Sequence, residues 1–425
     1  MQPNLLEAPN SLAYLSHLYL TNFRNFTDLD LELPQGVVVF FGANAQGKTT
    51  LLEAVYLLAI ARSFRAENER EVVNFQAAQQ GEQALVGGSI EKSSERLSVY
   101  VGYQCTPASG TSRGRPLNSN GLDYSVRKQI RVSRVRRTAA ELVGLVGAVL
   151  FSADDLELVQ GPPAGRRRYL DILISQANPP YLKGLQRYQR VVQQRNQLLR
   201  LLREGRAEAL ELEFWDDELV REGSWITWHR WGAMKSLLQL CAQHHQELSS
   251  PGEQFQLEYR PSVAQSDSLT ATEGRFRESL AAFRERELAR ANTVVGPHRD
   301  DFKLLVNGLD MGTFASRGEA RTLALTLRLA EASYLASARG EEPVVLLDDV
   351  LSEMDAWRRR RVMEKIAGYQ QSLITTTDLE TVQEFFGAGA TYYRVEENRV
   401  TLLDKSSSGT TQEQAGAPES AGLDP

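Results

Sequence analysis

Eight residues constrain this chain more than any others. Gly42-Ala43-Asn44-Ala45-Gln46-Gly47-Lys48-Thr49 fit the spacing G-x-x-x-x-G-K-[ST]. They follow the Pro34-Gln35-Gly36 turn and the apolar run Val37–Phe41, which suits a strand buried on both faces. They precede a helical pattern from Thr49 to about Ala61, with Leu52, Val55, Tyr56 and Ala59 on one side. Strand, glycine turn and helix start together make a polyphosphate cradle. Gly42 and Gly47 let the backbone curl, so that its N–H groups and the positive helix end face an anion. Lys48 is then placed for the β- and γ-phosphates and the Thr49 hydroxyl for Mg²⁺. Gly42, Ala43, Asn44, Ala45, Gln46, Gly47, Lys48, Thr49 and Thr50 form the candidate ATP-binding segment.

A phosphate loop needs an acidic partner for the metal. The run Val344–Asp349 (VVLLDD) reads as a buried strand ending in two acids. Asp348 is the candidate magnesium ligand, together with Thr49, and Asp349 the candidate polariser of an attacking water. A second hydroxyl-rich strand, Ser372–Asp378, follows. Upstream, Ser316-Arg317-Gly318-Glu319 opens an amphipathic helix from about Arg321 to Ala336. A hydroxyl, a glycine and a helix N-terminus favour phosphate. The same residues fit a plain capping box, with Ser316 as N-cap and Glu319 three residues on. Local sequence leaves the two readings open. Val350–Asp355 joins the acid-ending strand to an arginine-rich helix at 358–361.

At 425 residues, the chain exceeds one ordinary core and the length prior gives two to four domains. Its 42% apolar and 24% charged residues exclude disordered and fibrous classes. Two cysteines, Cys105 and Cys241, fit a reducing cytoplasm rather than a disulfide framework. No apolar run has the roughly 20 residues of a membrane helix, and the first 20 residues read as neither signal nor anchor. Residues 12–164 read as β-rich, with strands at 12–41, antiparallel alternation at 83–103 and 122–135, and a turn-rich loop between. Ala148–Val159 reads as a strand running into a helix capped by Ser152. Residues 165–290 are mostly helical, with a short β or loop portion near 255–263. Trp215, Trp225, Trp228 and Trp231 there read as packing residues. The α/β pattern resumes over 291–404, and 405–425 has the composition of a disordered tail.

The order of these motifs resembles the ATP-binding-cassette heads of the SMC family: P-loop, helical insertion, S-x-G-E, hhhhDD, then S-E-x-D. Within that group the chain is similar to the RecF family. Shared stretches are LYLTNFRNF (Leu18–Phe26), ARSFR (Ala61–Arg65), FSADDLELVQGPPAGRRRYLD (Phe151–Asp171) and VVGPHRDD (Val294–Asp301). The resemblance implies an α/β fold: an ABC-type head with an antiparallel β subdomain (12–164 and 291–404) and a helical arm (165–290). It implies two heads sandwiching two ATP molecules, with Ser316, Gly318 and Glu319 of one head facing the γ-phosphate on Lys48 of the other. It further implies an ATP-dependent homodimer with slow hydrolysis, DNA binding without sequence specificity, and recombinational repair and replication restart. RecR and RecO would be its mediators and loading of the RecA recombinase at gapped DNA its output. It also suggests a place near the nucleotide base or ribose for Arg62, Ser63 and Phe64. Departures are Ser152-Ala153-Asp154-Asp155, where a proline and a glutamate are usual, and Glu319 where the wider superfamily has glutamine. No histidine ends the strand at Thr375–Thr377, and no Q-loop glutamine stands out.

The formal charge of −6 makes local basic patches informative. Arg113, Arg115, Arg127, Lys128, Arg131, Arg134, Arg136 and Arg137 stand against one acid, Asp123. Arg166, Arg167, Arg168, Lys183, Arg187, Arg190, Arg195, Arg200 and Arg203 stand against Asp171. Both runs are candidates for phosphate-backbone contact, the alternative being a solvated face. His298 reads as a packing or supporting residue, and Asp300 and Asp301 as turn-holders or arginine partners. Of the other classes, a transporter ATPase expects a switch histidine and an SMC bridge expects long heptad arms. Another SMC-like structural or nuclease-coupled ATPase is the alternative function.

Overall fold

The computed structural model describes residues 11–107, 124–249 and 251–403. Most of the turn-rich stretch expected after Thr106, and the tail from 405, lie outside those residues. The first third of the chain gives strands β1 (Ala13–Phe23), β2 (Phe26–Glu32) and β3 (Gly36–Phe41), then helices α1 (Lys48–Ile60) and α2 (Phe75–Gln79). Strands β4 (Ala84–Lys92), β5 (Arg96–Pro107), β6 (Tyr124–Val132) and β7 (Val135–Arg137) follow, then α3 (Ala139–Leu142) and β8 (Ala148–Phe151). The middle is helical: α4 (Leu156–Gln160), α5 (Pro163–Ala177), α6 (Pro179–Arg203), α7 (Glu211–Leu248), strand β9 (Phe255–Arg260) and α8 (Leu269–Arg290). The last part holds β10 (Asp301–Val306), β11 (Leu309–Asp310), α9 (Met311–Phe314), α10 (Arg317–Arg339), β12 (Val344–Asp348) and α11 (Ala356–Ile366). It closes with β13 (Gln371–Thr376), α12 (Leu379–Phe386), β14 (Ala390–Glu396) and β15 (Arg399–Leu402).

The central sheet has the order β15-β14-β3-β13-β12-β8 and is parallel except for the β14–β15 hairpin. Strands β3, β8, β12 and β13 are buried on both faces, unlike the β14–β15 edge. Successive residues enter different cores. Val38 and Phe40 pack with α1 and the antiparallel sheet, whereas Val37, Val39 and Phe41 pack with α10 and its neighbours. The antiparallel sheet, β2-β1-β4-β5-β6-β7, lies over α1. So α1 is enclosed between two sheets and is buried nearly all round.

Helices α6, α7 and α8 form an arm with its own core around Tyr181, Tyr188, Ile226 and Phe276. Proline at the first turn starts α5 and α6, since a helix start needs no proline N–H. Strand β9 pairs with β10, so the segment after α7 returns to a three-stranded sheet beneath the head. Of the four tryptophans expected to pack, Trp215 and Trp225 border the arm core, but Trp228 is 38% exposed. Helix α10 begins at Arg317, four residues before the expected start, because the Ser316–Glu319 capping box closes the earlier turn. No helix of the described residues is long and apolar enough to cross a membrane.

Candidate nucleotide-binding site

The loop after β3 is fitted tightly beneath two hairpins. A Cβ on Gly42 would stand 2.2 Å from the Val395 carbonyl oxygen. One on Gly47, whose φ is 104°, would stand 2.5 Å from Asn25 Nδ2 and 2.9 Å from the Phe26 ring. Both positions therefore require glycine. Gln46 Oε1 accepts from the Glu397 N–H at 2.7 Å, and Asn25 bonds Asn398 across the loop. The Thr50 hydroxyl donates to Asn25 Oδ1 at 3.1 Å, which leaves Thr50 only its backbone N–H as a donor to a phosphate. The β1–β2 turn and the β14–β15 hairpin thus hold the loop from above, while α1 presents its first-turn N–H groups.

Lys48 opens α1 and is buried. Its ammonium donates to the carbonyls of Gly42 and Ala43, both at 2.8 Å, across the loop it belongs to. Burial pulls its pKa below the usual lysine value, opposed by Asp349 and Asp348. A cation that has, among the described residues, no anionic hydrogen-bond partner in its glycine cradle matches a polyphosphate. The Thr49 hydroxyl donates to Asp348 Oδ1 at 2.7 Å, joining loop and acid-ending strand. Thr375, at the end of β13, supports the same carboxylate at 2.9 Å and accepts the Asp349 N–H at 3.0 Å. A hydroxyl and a carboxylate at this separation are a donor set suited to Mg²⁺.

Asp349 is the strained member. Its φ of 52° lies in the left-handed region, which costs a non-glycine residue about 1–3 kcal/mol. Its Oδ1 is buried and has no hydrogen-bond partner among the described residues. Burial raises its carboxyl pKa; Lys48 works against this, while Asp348 and Glu353 add to it. An orphaned buried oxygen beside a cationic loop is a group held ready for something the chain does not supply.

Ser316, Gly318 and Glu319 are exposed. The Ser316 N–H donates to the Glu319 carboxylate at 2.8 Å and Ser316 Oγ accepts from the Glu319 N–H at 3.3 Å. Among the described residues no hydrogen bond joins this turn to residues 42–50. It does touch the segment after Asp349, through Arg321, whose guanidinium lies 2.8 Å from the Glu353 carboxylate. Deeper in α10, the Arg328 guanidinium binds Asp155 at 2.6 Å and Glu331 at 2.6 Å. Burial opposes its charge, but the two carboxylates more than offset this and raise its pKa well above the usual value. Asp155 also accepts the Ser152 N–H at 2.9 Å, so the Ser152–Asp155 turn is closed by its own capping box and tied to α10.

Other expectations are corrected. Arg62, Ser63 and Phe64 lie past the far end of α1, about 18 Å of helix from the phosphate loop, because α1 runs unbroken for 13 residues. Ser63 and Arg24 instead hold the buried Glu53 carboxylate. The second arginine run is split: Arg166, Arg167 and Arg195 are half-buried or buried, whereas Arg168, Lys183, Arg187, Arg190, Arg200 and Arg203 are exposed. Arg166 grips Asp301 at 2.7 and 3.0 Å, and Arg167 donates to the Asp300 carbonyl. Arg195 is fully buried between Asp216 and Glu287, and Arg187 pairs with Glu222. His298 sits beside these at the base of the arm. It bonds Tyr188 at 2.6 Å and the Thr293 carbonyl at 3.1 Å, and burial pushes its pKa down to about 4. Thr375 and Asn25 were visible as a hydroxyl-ended strand and part of FRNF, but neither carried a spacing that assigned it to the site.

The family model described as "RecF/RecN/SMC N terminal domain" matches residues 14–401. The DNA replication and repair protein RecF of Chloroflexus aurantiacus is 40% identical over 402 residues, covering 91% of this chain and 99% of that protein. RecF of Geobacillus kaustophilus is 36% identical over 391 residues, with 91% and 99% covered. A solved structure of the recombination mediator protein RecF with ATP in the RecFOR pathway superposes with a TM-score of 0.81 at 31% identity, over 94% of this chain and 99% of that one. With a matching model across nearly its whole described length and relatives matched end to end, the chain belongs to the RecF family of DNA replication and repair proteins.

Proposed function

We propose that this chain is an ATP-gated DNA-binding protein of recombinational repair and replication restart that works as a dimer of heads. The observation that carries the reading is a division of the site. Lys48, Thr49, Asp348 and Asp349 are assembled within one chain, while Ser316, Gly318 and Glu319 are exposed and, among the described residues, hydrogen-bond only within the first turns of their own helix. Residues 42–50 would hold the triphosphate, and Thr49 and Asp348 the magnesium ion, which supplies charge neutralisation when bound. Asp349 orients water for a slow hydrolysis that serves as a timer. Ser316 and Gly318 of a second copy would complete the γ-phosphate contacts. On this reading the ATP-bound dimer engages gapped DNA and, with the RecR and RecO mediators, helps load the RecA recombinase. Sedimentation of the full chain with ATP, with ADP and without nucleotide tests it: a doubled mass with ATP alone is expected.

A further inference from the structure

The outer face of the antiparallel sheet carries a row that crosses all six strands. Opposed residues run Asp30–Tyr19–Gly87–Tyr100–Arg131–Arg136 from β2 to β7. Beside it, Gln104 opposes Arg127 and Gly102 opposes Gln129. The face is graded: acids on β2, aromatics in the middle, arginines on β6 and β7. His17 stacks on Tyr19 with ring centroids 4.2 Å apart. The Tyr100 ring lies across Gly87, where a Cβ would stand 2.7 Å from ring atom Cδ1. The Cδ1–Cε1 edge of the ring covers that glycine and the side chain is only half buried, so part of the ring stays open to solvent.

Members of the first arginine run differ in what they do with their charge. Lys128 and Arg137 pair with Glu69 and Glu141. Arg127, Arg131 and Arg136 are exposed and, among the described residues, form no ion pair. Alternate residues of a strand recur at about 6.8 Å, so Arg127, Gln129 and Arg131 make a polar and cationic line beside a stacking ring. Phosphates need the first and unpaired bases the second. A duplex hides its base faces and would leave Tyr100 unused.

The geometry points to this face as a binding surface for single-stranded DNA, with a base stacked on Tyr100 and the backbone on Arg127, Arg131 and Arg136. It rests on the DNA-binding reading above and names which strand form this face takes.

The test is fluorescence anisotropy of the full chain with ATP, titrated into labelled oligo(dT) and into a labelled duplex at several salt concentrations. Three variants are compared with the parent: Tyr100→Ala, Tyr100→Phe and the triple Arg127→Gln/Arg131→Gln/Arg136→Gln. Tyr100→Ala should weaken oligo(dT) binding about tenfold to a hundredfold, Tyr100→Phe should restore it, and duplex binding should be unchanged by either. The triple variant should flatten the log–log salt slope on oligo(dT) by about 2, at about 0.7 per lost phosphate contact. Binding of a fluorescent ATP analogue, expected to stay at the parent value, reports that each variant is folded. A parent that binds neither DNA overturns the DNA-binding reading and this inference with it. A parent that binds oligo(dT) while folded Tyr100→Ala and triple variants match it in affinity and slope overturns this inference alone and returns the face to protein docking. Equal loss on duplex and oligo(dT) with Tyr100→Ala overturns the single-strand assignment.

Discussion

The Thr49 hydroxyl and the Asp348 carboxylate lie 2.7 Å apart although 299 residues separate them in the chain. Strands β4 to β7 of the antiparallel sheet, strand β8 and the whole helical arm lie between them before β12 returns Asp348 to the phosphate loop. The contact makes one donor set from two strand ends, β12 directly and β3 through its loop, and it sets what each neighbouring side chain should do.

Lys48→Ala removes the cation that spans the loop and now caps Gly42 and Ala43. ATP affinity should fall by more than tenfold, since a charge-assisted phosphate contact exceeds about 1.4 kcal/mol. Equilibrium titration with a fluorescent ATP analogue checks it. Unchanged affinity would remove the loop from the site.

Asp349→Asn keeps a residue that tolerates the left-handed backbone but removes the carboxylate. ATP binding should persist, turnover should drop, and the ATP-bound dimer should accumulate. The variant also carries a stability signature. Burial raises the Asp349 pKa, so ionisation costs folding free energy fully above the folded pKa and not at all below the unfolded value near 3.8. The asparagine variant should therefore melt above the parent at pH 7, with the gap closing as pH falls through the carboxylate range. Wild-type turnover would move the catalytic role elsewhere.

Glu287→Gln should destabilise the arm. Glu287 and Arg195 are both fully buried, at 2.5 Å, and removing the Glu287 charge leaves the guanidinium only the partly exposed Asp216 carboxylate. A loss of about 3–5 kcal/mol in denaturant unfolding is expected. A loss below about 1 kcal/mol would mean that Asp216 and Thr293 suffice for the guanidinium.

His298 predicts an acid sensitivity. Its pKa falls from 6.5 to about 4 on folding, so the unfolded chain protonates first. Stability is complete above about pH 6.5 and declines as pH drops toward 4, by up to about 3 kcal/mol from this residue. Denaturation of the parent at pH 7.5 and pH 5 should differ by more than in His298→Gln. Equal differences would assign the sensitivity to other groups.

The phosphate loop and the acid pair were legible because strands buried on both faces leave unbroken apolar runs, and their ends carry the chemistry. The internal and exposed members of the arginine runs were not separable. Arg166 and Arg195 differ from Arg127 and Arg131 only through Asp301 and Glu287, which lie 135 and 92 residues away and arrive by tertiary packing. Arg62 and Ser63 misled for a related reason: nearness in sequence to the loop becomes distance when a straight helix intervenes. Thr375 and Asn25 joined the site through neighbouring strands, a relation no local pattern records.

In the proposed dimer, Ser316 and Gly318 of one copy act on the nucleotide of another. Ser316→Arg separates this from an ordinary capped helix, whose loss would cost about 0.5–2 kcal/mol of stability and spare nucleotide chemistry. The direct measurement is sedimentation mass with ATP, for parent and Ser316→Arg, alongside ATP affinity. The account predicts a parent that doubles in mass with ATP and a variant that binds ATP through Lys48 and Thr49 yet stays a monomer. A variant that binds ATP and still doubles in mass would contradict it.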